Sequence, residues 1–258
     1  MTKLLCLFFL LYQIIPLYGQ VEPDTLNVSQ NERTNADDPS QFFSRVELFN
    51  EFQHLPDNVN FNQTVLRTVL KIGKKLTTRL DVPFVYNSIS SPDYAQFGLG
   101  DISFRLLGYK FFQSRTSALT ASIEISLNTA QSPLRGTGKN MIIPLISYSA
   151  ALKKQKMILS MAFQQTNSFS GDEERETVSF SKLQAILIKV WTTKTWTVLA
   201  PEWYLDYVHG GVSMNLEARM AYAPVRRFNI WAQAGVGVFG DFIARYDWDG
   251  EVGVRYCF

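Results

Sequence analysis

The chain has 258 residues, with 25 lysines and arginines against 23 aspartates and glutamates, so its formal charge is +2. Such a balanced charge excludes the strong basic field on which nucleic-acid binding depends, and it offers no attraction to an acidic partner. Only two cysteines are present, Cys6 and Cys257, and the first lies in a segment that we expect to be removed. We therefore predict no internal disulfide and no metal–thiolate site.

The first 19 residues have the layout of a secretory signal peptide. Lys3 precedes an apolar run from Leu4 to Leu17, and Tyr18-Gly19 follows it. The run is shorter than the roughly 20 residues that a membrane-spanning helix needs. We expect cleavage after Gly19 and export of the rest of the chain.

Residues 20–40 form a polar segment that is rich in asparagine and aspartate and contains two prolines. Such a segment has too little apolar surface to form a core of its own. We predict that it is a loosely attached N-terminal segment in the periplasm.

From residue 41 to residue 258, turn signals separate segments in which apolar and polar residues alternate. The connections are alternately short and longer, as in outer-membrane barrels with short periplasmic turns and longer outer loops. An even strand number also returns the chain to the side on which it started. The sequence therefore predicts an all-β fold, a transmembrane antiparallel β-barrel of about 12 strands, at approximately 41–53, 62–73, 76–88, 99–112, 117–128, 140–152, 156–168, 176–191, 195–207, 212–224, 228–240 and 249–258.

Alternation by itself is also typical of a secreted β-sandwich. The strands of a sandwich are usually five or six residues long, whereas these average about a dozen. Strand length therefore favours the barrel. The segments 62–73 and 176–191 alternate least clearly.

The last strand places Val252, Val254, Tyr256 and Phe258 on one face, and the sequence ends on the aromatic ring. This pattern resembles the C-terminal assembly signal of bacterial outer-membrane proteins, for which we single out Val254, Tyr256 and Phe258. Aromatic residues near strand ends are typical of the girdles at the two membrane interfaces. We predict girdle positions for Tyr86, Trp191, Trp196, Tyr207, Tyr222, Phe228, Tyr256 and Phe258.

If the apolar faces contact lipid, the opposite faces line the lumen and carry charge. The predicted lumen residues are Arg79, Asp81, Asp101, Arg105, Glu124, Glu202, Asp206, Glu217, Arg219, Glu251 and Arg255. Seven are acidic and four are basic, which predicts a mild acidic excess and disfavours a strongly anion-selective porin. These charges either pair across the lumen and plug it, or line a narrow polar path for a solute.

The sequence offers little for catalysis. A lipid hydrolase of the barrel type needs a serine nucleophile with a histidine base. Ser168 occupies a segment similar in position to the catalytic strand of outer-membrane phospholipase A, but Thr166 stands where that family has its histidine. Only His54 and His209 are present, and both are expected in solvated loops. There is no P-loop, dinucleotide fingerprint or metal-ligand cluster, so we predict a protein that is not an enzyme and uses no cofactor.

Four segments carry a resemblance to a known family. They are Gly98-Leu-Gly-Asp101, Leu134-Arg-Gly-Thr-Gly-Lys139, Thr78-Arg-Leu-Asp-Val-Pro-Phe84 and Leu199-Ala-Pro-Glu-Trp-Tyr204. Together they resemble the outer-membrane transporters first named from the meta-pathway of phenol degradation, over about residues 62–258. The resemblance implies a barrel that helps small, often hydrophobic or aromatic molecules to cross the outer membrane. It implies no catalytic residues.

The leading hypothesis is therefore an outer-membrane channel or passive transporter whose partners are lipid, the barrel-assembly machinery and a small solute. Asp101, Glu124, Glu202 and Arg219 are the first residues to substitute. Two alternatives stay open: a lipid-modifying enzyme of the phospholipase type, and a plugged structural barrel that captures a partner through residues 20–40.

Overall fold

The computed structural model describes residues 37–56, 59–89, 96–132, 134–240 and 246–258. All of them belong to one compact unit that spans Asn31–Phe258. The predicted signal peptide and most of the predicted polar segment lie outside the described residues, so both stay predictions.

Nearly all of the described chain is β-structure. Its thirteen strands are β1 (Arg45–Leu55), β2 (Val59–Ile72), β3 (Leu76–Ile89), β4 (Gln96–Leu99), β5 (Ile102–Gln113), β6 (Ser117–Leu127), β7 (Lys139–Leu152), β8 (Met157–Gly171), β9 (Ser179–Val190), β10 (Thr195–Asp206), β11 (Val212–Val225), β12 (Phe228–Phe239) and β13 (Trp248–Cys257). A 3-10 turn, Lys153–Gln155, connects β7 to β8. Among the described residues, no helix has the length and apolar character to cross a membrane.

The strands close into a barrel. Apart from β4 and β5, strands that follow one another in the chain pair antiparallel, and β1 pairs with both β2 and β13. The short β4 and the following β5 both pair with β3, through Phe84↔Leu99 and Asp81↔Ser103. They are therefore one wall strand interrupted at Gly100-Asp101, and the barrel has twelve strands, as predicted.

The two faces of the wall differ as they do in a protein surrounded by lipid. Outward positions carry exposed apolar side chains, for example Leu80, Ile123, Leu199 and Val252. Inward positions carry polar side chains that are buried, since a barrel wall shields its own interior. An exposed surface this apolar is unfavourable in water and favourable in a bilayer.

The two ends of the barrel also differ. The short connections 73–75, 114–116, 153–156, 191–194 and 226–227 share one end, here called the short-turn end. The chain enters β1 at this end, because Arg45 pairs with Cys257 and the amide of Phe258 donates to the carbonyl of Ser44 at 3.1 Å. The longer connections, including 128–138 and 172–178, lie at the opposite, long-loop end.

The first strand begins four residues later than predicted, at Arg45 instead of residue 41. Asp38 accepts hydrogen bonds from the amide of Ser40 at 2.9 Å and from its hydroxyl at 2.7 Å. Such side-chain bonds to nearby groups compete with strand pairing. Residues 37–40 therefore form a turn inside the short-turn end.

An apolar cluster lies inside the barrel towards this end. Its buried members are Phe49, Val65, Ile188, Trp196, Ala221, Ala223 and Trp231. The prediction of a girdle position for Trp196 was wrong: its parity on β10 points it inward, and only 1% of the side chain is exposed. The lumen is therefore partly filled by apolar side chains.

Candidate functional site

The predicted lumen residues occupy inward-facing positions of the wall, with Asp101 in the break between β4 and β5. Their neighbours across the strands include further charged side chains. Most of the charges join in one network, and two of the predicted residues hold loops instead.

The network begins on β5 and β6. Nη2 of Arg105 lies 3.5 Å from Oε2 of Glu124, which also accepts from Nη2 of Arg79. Nε of Arg79 lies 3.2 Å from Oδ2 of Asp81. Arg67 on β2 binds the same carboxylate with two nitrogens, at 2.9 and 2.8 Å. Bidentate arginine–carboxylate pairs of this kind fix both side chains.

The network continues across β1 to β13. Glu47, which is only 2% exposed, accepts from Nε of Arg255 at 2.6 Å and from Nε of Arg45 at 2.5 Å. Nη1 of Arg67 lies 3.7 Å from its other oxygen. Glu47 therefore connects three arginines from three strands.

The last connection comes from Asp37, which precedes β1 and belongs to no strand of the wall. Oδ1 of Asp37 lies 3.0 Å from Nη1 of Arg219 and 3.2 Å from Nη2 of Arg255, and Oδ2 accepts from Nε1 of Trp196 at 2.6 Å. Arg219 also donates to Oε1 of Glu251 at 2.9 Å. Burial alone would raise the pKa of Asp37, but Arg255 and Arg219 lower it to about 2. The carboxylate is therefore ionised at neutral pH.

We call this network the ion-pair chain. Its members are Arg105, Glu124, Arg79, Asp81, Arg67, Glu47, Arg45, Arg255, Asp37, Arg219 and Glu251. Six arginines thus face four wall carboxylates, and Asp37 is the only member that the wall does not supply. The acidic excess predicted for the lumen does not hold here, because four of the predicted acids, Asp101, Glu202, Asp206 and Glu217, lie outside this network. Two of its arginines, Arg45 and Arg67, were also absent from the predicted set.

A second polar group lies nearer the long-loop end. Nζ of Lys182 lies 2.7 Å from Oε1 of Glu202, and the hydroxyl of Tyr204 donates to Oε2 at 2.5 Å. Tyr246, just before β13, donates to Oε1 of Glu217 at 3.1 Å. Burial first, and then the nearby carboxylate of Glu217, raises the pKa of Tyr246, so its phenol stays protonated and can donate.

A cavity of about 320 Å³ lies between the ion-pair chain and the opposite wall. That wall is neutral and made of small side chains, including Thr120, Ser122, Ser147 and Ala162. The hydroxyls of Thr120 and Ser147 bond to each other at 2.7 Å. The lumen therefore has one charged side and one neutral side around a space large enough for a small molecule.

Asp101 does not face this cavity with a free carboxylate; it holds the loop between β6 and β7. Its oxygens accept from the amides of Thr129, Ala130 and Thr137 at 3.2, 3.1 and 2.7 Å, and from the hydroxyl of Thr137 at 3.0 Å. A β-carbon on Gly136 would collide with this carboxylate. The prediction that Asp101 lines the path is therefore corrected to a structural role.

The same loop joins two segments of the family resemblance. The guanidinium of Arg135 lies directly over Gly98, where a β-carbon would collide with it. Gly98-Leu-Gly-Asp101 and Leu134–Lys139 are therefore in contact, and the small size of Gly98 has a packing cause.

The carboxylate of Asp206 also binds residues of a loop. The carboxylate accepts from the amides of Val208 and His209 and pairs with Nδ1 of His209 at 3.0 Å. The other ring nitrogen of His209 lies 3.1 Å from Glu176. Ser168 has a separate partner, the amide of Val178 at 2.9 Å. With both nitrogens of His209 bound to carboxylates, this ring is not placed to activate Ser168.

His54 lies near the end of β1. Its Nδ1 is 2.8 Å from Oδ1 of Asn60, and its ring stacks on Trp248. The described residues hold no cluster of three His, Cys, Asp or Glu side chains able to bind a metal.

The three residues of the predicted assembly signal project outward at the short-turn end. Val254, Tyr256 and Phe258 are 38%, 48% and 58% exposed, and the last two rings stack at 6.5 Å. Recognition by an assembly machinery stays a prediction.

Sequence reasoning missed Glu47 on β1 and Trp231 on β12. It missed Arg67 and Lys182 because their strands, β2 and β9, alternate poorly. On β2 the inward face mixes Arg67 with Val65 and Val69, and on β9 it mixes Lys182 with Ile186 and Ile188. Alternate residues of a strand share a face. Assigning the faces of β2 and β9 from their clearer neighbouring strands could therefore have identified Arg67 and Lys182 as lumen residues. Nothing in the sequence marks Asp37 as an interior residue.

No protein-family model matches the chain, and a search of curated proteins returned no match. Solved structures do match. An outer-membrane channel described as COG4313 from Pseudomonas putida F1 is similar with a TM-score of 0.70 and 11% identity, over 93% of this chain and 100% of that chain. The KdgM porin gives 0.59 and 9%, and the NanC porin 0.59 and 8%, each over 83% of this chain and 99% and 98% of theirs. At these identities the similarity establishes the fold, an outer-membrane-type β-barrel.

Proposed function

We propose that this protein is a channel of the bacterial outer membrane that lets small solutes pass through its lumen. The observation that carries the proposal is the asymmetric lumen, where the ion-pair chain faces a neutral wall across a cavity of about 320 Å³. A purely structural barrel needs no such space. The apolar outer surface supports a location in a bilayer.

The fold-sharing channels and porins support this class of function. The resemblance to transporters named from phenol degradation adds a solute class, small hydrophobic or aromatic molecules. The apolar cluster of Phe49, Trp196 and Trp231 inside the barrel is compatible with such solutes.

A lipid-modifying enzyme is the weaker alternative, because Ser168 and His209 have separate partners. The plugged structural barrel has a specific observation in its favour. Asp37 reaches into the lumen and completes the ion-pair chain, so the path is narrowed on its short-turn side.

Single-channel recording in planar bilayers separates these functions. The refolded protein, checked by heat-modifiable migration on a gel, should give discrete conductance steps. Glu124→Gln should shift cation-to-anion selectivity towards anions, because it removes a lumen carboxylate. Glu173→Gln is the matched control, since it removes the same charge from an exposed loop and should leave selectivity unchanged.

A barrel that inserts and never conducts would contradict the channel and support the plugged scaffold. Equal selectivity changes in the two variants would also contradict a path along the ion-pair chain. Hydrolysis of phospholipid by the silent barrel, lost in Ser168→Ala, would support the enzyme.

A further inference from the structure

The carboxylate of Asp37 is held by the wall as a ligand would be. Asp37 precedes β1 and belongs to no wall strand, and yet its side chain is 94% buried in the barrel, with 6% exposed. Its three partners come from three strands, Trp196 on β10, Arg219 on β11 and Arg255 on β13. The two oxygens thus receive one indole and two guanidinium donors.

The two arginines each have a second carboxylate partner in the wall. Arg219 is also bound to Glu251 at 2.9 Å, and Arg255 to Glu47 at 2.6 Å. Each arginine therefore keeps a wall carboxylate when Asp37 leaves, and one side of each guanidinium stays directed at the vacated place. A preorganised donor set of this kind binds a ligand with a small ordering cost.

The charge of the wall favours an anion in this place. Without Asp37, the ion-pair chain has six arginines and four carboxylates. In a lumen shielded from bulk water this excess attracts anions more strongly than the same charges would in solution. Two guanidinium groups and an N–H donor match the planar shape and paired acceptors of a carboxylate.

Apolar surface lies directly beside the donors. The ring of Trp231 stacks under both guanidinium groups, with centroid distances of 5.5 Å to Arg219 and 4.8 Å to Arg255. Phe49 lies 6.3 Å from Trp231, and the 320 Å³ cavity is lined by Phe49, Trp231 and both arginines. A ligand whose carboxylate replaced that of Asp37 could place an apolar body in this space.

We propose that Trp196, Arg219 and Arg255 form a binding site for the carboxylate of a small organic acid with an apolar body, and that Asp37 occupies this site when the acid is absent. The proposal deepens the proposed function, on which it rests, by naming the solute class as an aromatic or other apolar carboxylate. Because the acid must displace Asp37, binding to the unaltered protein is weakened by competition.

The test is equilibrium binding to the full-length protein, refolded in detergent and checked by heat-modifiable migration. Benzoate is the probe, and benzamide is its neutral counterpart of the same shape. Isothermal titration should detect benzoate, and Asp37→Asn should tighten it about tenfold by removing the internal competitor. Asp38→Asn is the matched control, because it removes the neighbouring charge while its amide oxygen can still accept from Ser40.

Two further variants test the donors. Arg219→Gln in the Asp37→Asn background should abolish the gain for benzoate, and Trp196→Phe should reduce it by removing one donor while keeping an aromatic ring. A variant that loses heat-modifiable migration has not folded and is left out of the comparison. The benzoate affinity of the other variant then decides whether the donors bind the carboxylate.

Equal benzoate affinity in the unaltered protein, Asp37→Asn and Asp38→Asn would overturn the site, as would benzamide binding as tightly as benzoate. The assay needs no membrane, so its outcome is separate from that of the conductance experiment. A barrel that conducts without binding benzoate would refute the site alone, whereas a barrel that binds benzoate and never conducts would refute the channel.

Discussion

Oδ1 of Asp37 lies 3.0 Å from Nη1 of Arg219, although the two residues are 182 positions apart in the sequence. This ion pair connects the segment before the first strand to the middle of β11 inside the barrel. Asp37 links Arg219 to Arg255 within the ion-pair chain, and the segment that carries Asp37 cannot leave the lumen without breaking this contact. The width of the lumen at the short-turn end therefore depends on one carboxylate that belongs to no wall strand.

The pKa of Asp37 gives this contact a pH dependence. Because its pKa is lowered from 3.8 to about 2, its stabilising contribution is present above pH 4 and is lost as the pH falls through about 2. A shift of this size corresponds to roughly 2 kcal/mol at neutral pH. We expect Asp37→Asn to lower the free energy of unfolding in guanidinium by about that amount at pH 6.

The difference between Asp37→Asn and the unaltered protein should shrink towards zero near pH 2. Asp38→Asn, the adjacent substitution, is the control for the loss of one negative charge from the same turn. A difference that is the same at pH 6 and pH 2 would show that Asp37 acts by something other than its charge.

The loops at the long-loop end contain a second titratable contact. His209 bridges Asp206 and Glu176. The hydrogen bond that its ring donates to the carboxylate of Asp206 raises the pKa of His209, and the bond to Glu176 adds to this effect. Because the pKa is raised, the contribution of this contact is complete below pH 6.5 and is lost as the pH rises through the higher, folded-state pKa. We expect an NMR titration to show a pKa above 6.5 that falls in Glu176→Gln.

Only two histidines are present, so His54→Gln assigns the two signals. The titration of His209 should be unchanged in that variant. A pKa for His209 at or below 6.5 in the unaltered protein would contradict the bridge between the loops at 172–178 and 207–211.

Removal of the Asp101 carboxylate should release the loop between β6 and β7. Asp101→Ala deletes four hydrogen-bond contacts, three of them with backbone amides. Each bond to a charged group contributes about 1.5–3 kcal/mol. We expect amide hydrogen exchange at Thr137 and Ala130 to accelerate at least tenfold, while exchange in the strands stays slow.

Asp172→Ala is the matched control for this experiment, since Asp172 is an exposed loop carboxylate that accepts one hydrogen bond, from the amide of Glu174 at 3.0 Å. Unchanged exchange at Thr137 in Asp101→Ala would show that the loop is held by other contacts.

The contact between Gly98 and Arg135 predicts a rescue. Gly98→Ala places a β-carbon against the guanidinium, and overpacking of this kind costs about 1–3 kcal/mol. The arginine is a flexible side chain, so Arg135→Ala in the same chain should restore most of the loss. The measurement is the guanidinium midpoint of the two single variants and the double variant.

Gly250→Ala serves as a reference for this series, because its β-carbon would meet its nearest neighbour at 3.9 Å, an ordinary contact. Independent, additive effects of Gly98→Ala and Arg135→Ala would mean that the two residues do not interact.

The sequence could predict the architecture because the pattern that specifies a membrane barrel lies within each individual strand. In β6 from Leu119 to Leu127 and in β11 from Val212 to Met220, the apolar residues face lipid and the polar residues between them face the lumen, so the two-residue period survives over most of each strand. The period is weaker in β2 and β9. There, Val65 and Ile188 face inward as part of the apolar cluster, so apolar residues stand on both faces.

The sequence by itself determined the strand number, the faces of the clear strands and the closure of the barrel, because each follows from the spacing of residues within one strand or turn. Only the tertiary structure decided which charges meet. Glu47 and Arg255 are 208 positions apart and Asp37 and Trp196 are 159 apart, and closure brings each pair together. The position of a lumen charge depends on the register of every intervening strand, and no local pattern records where a segment such as residues 37–40 comes to lie.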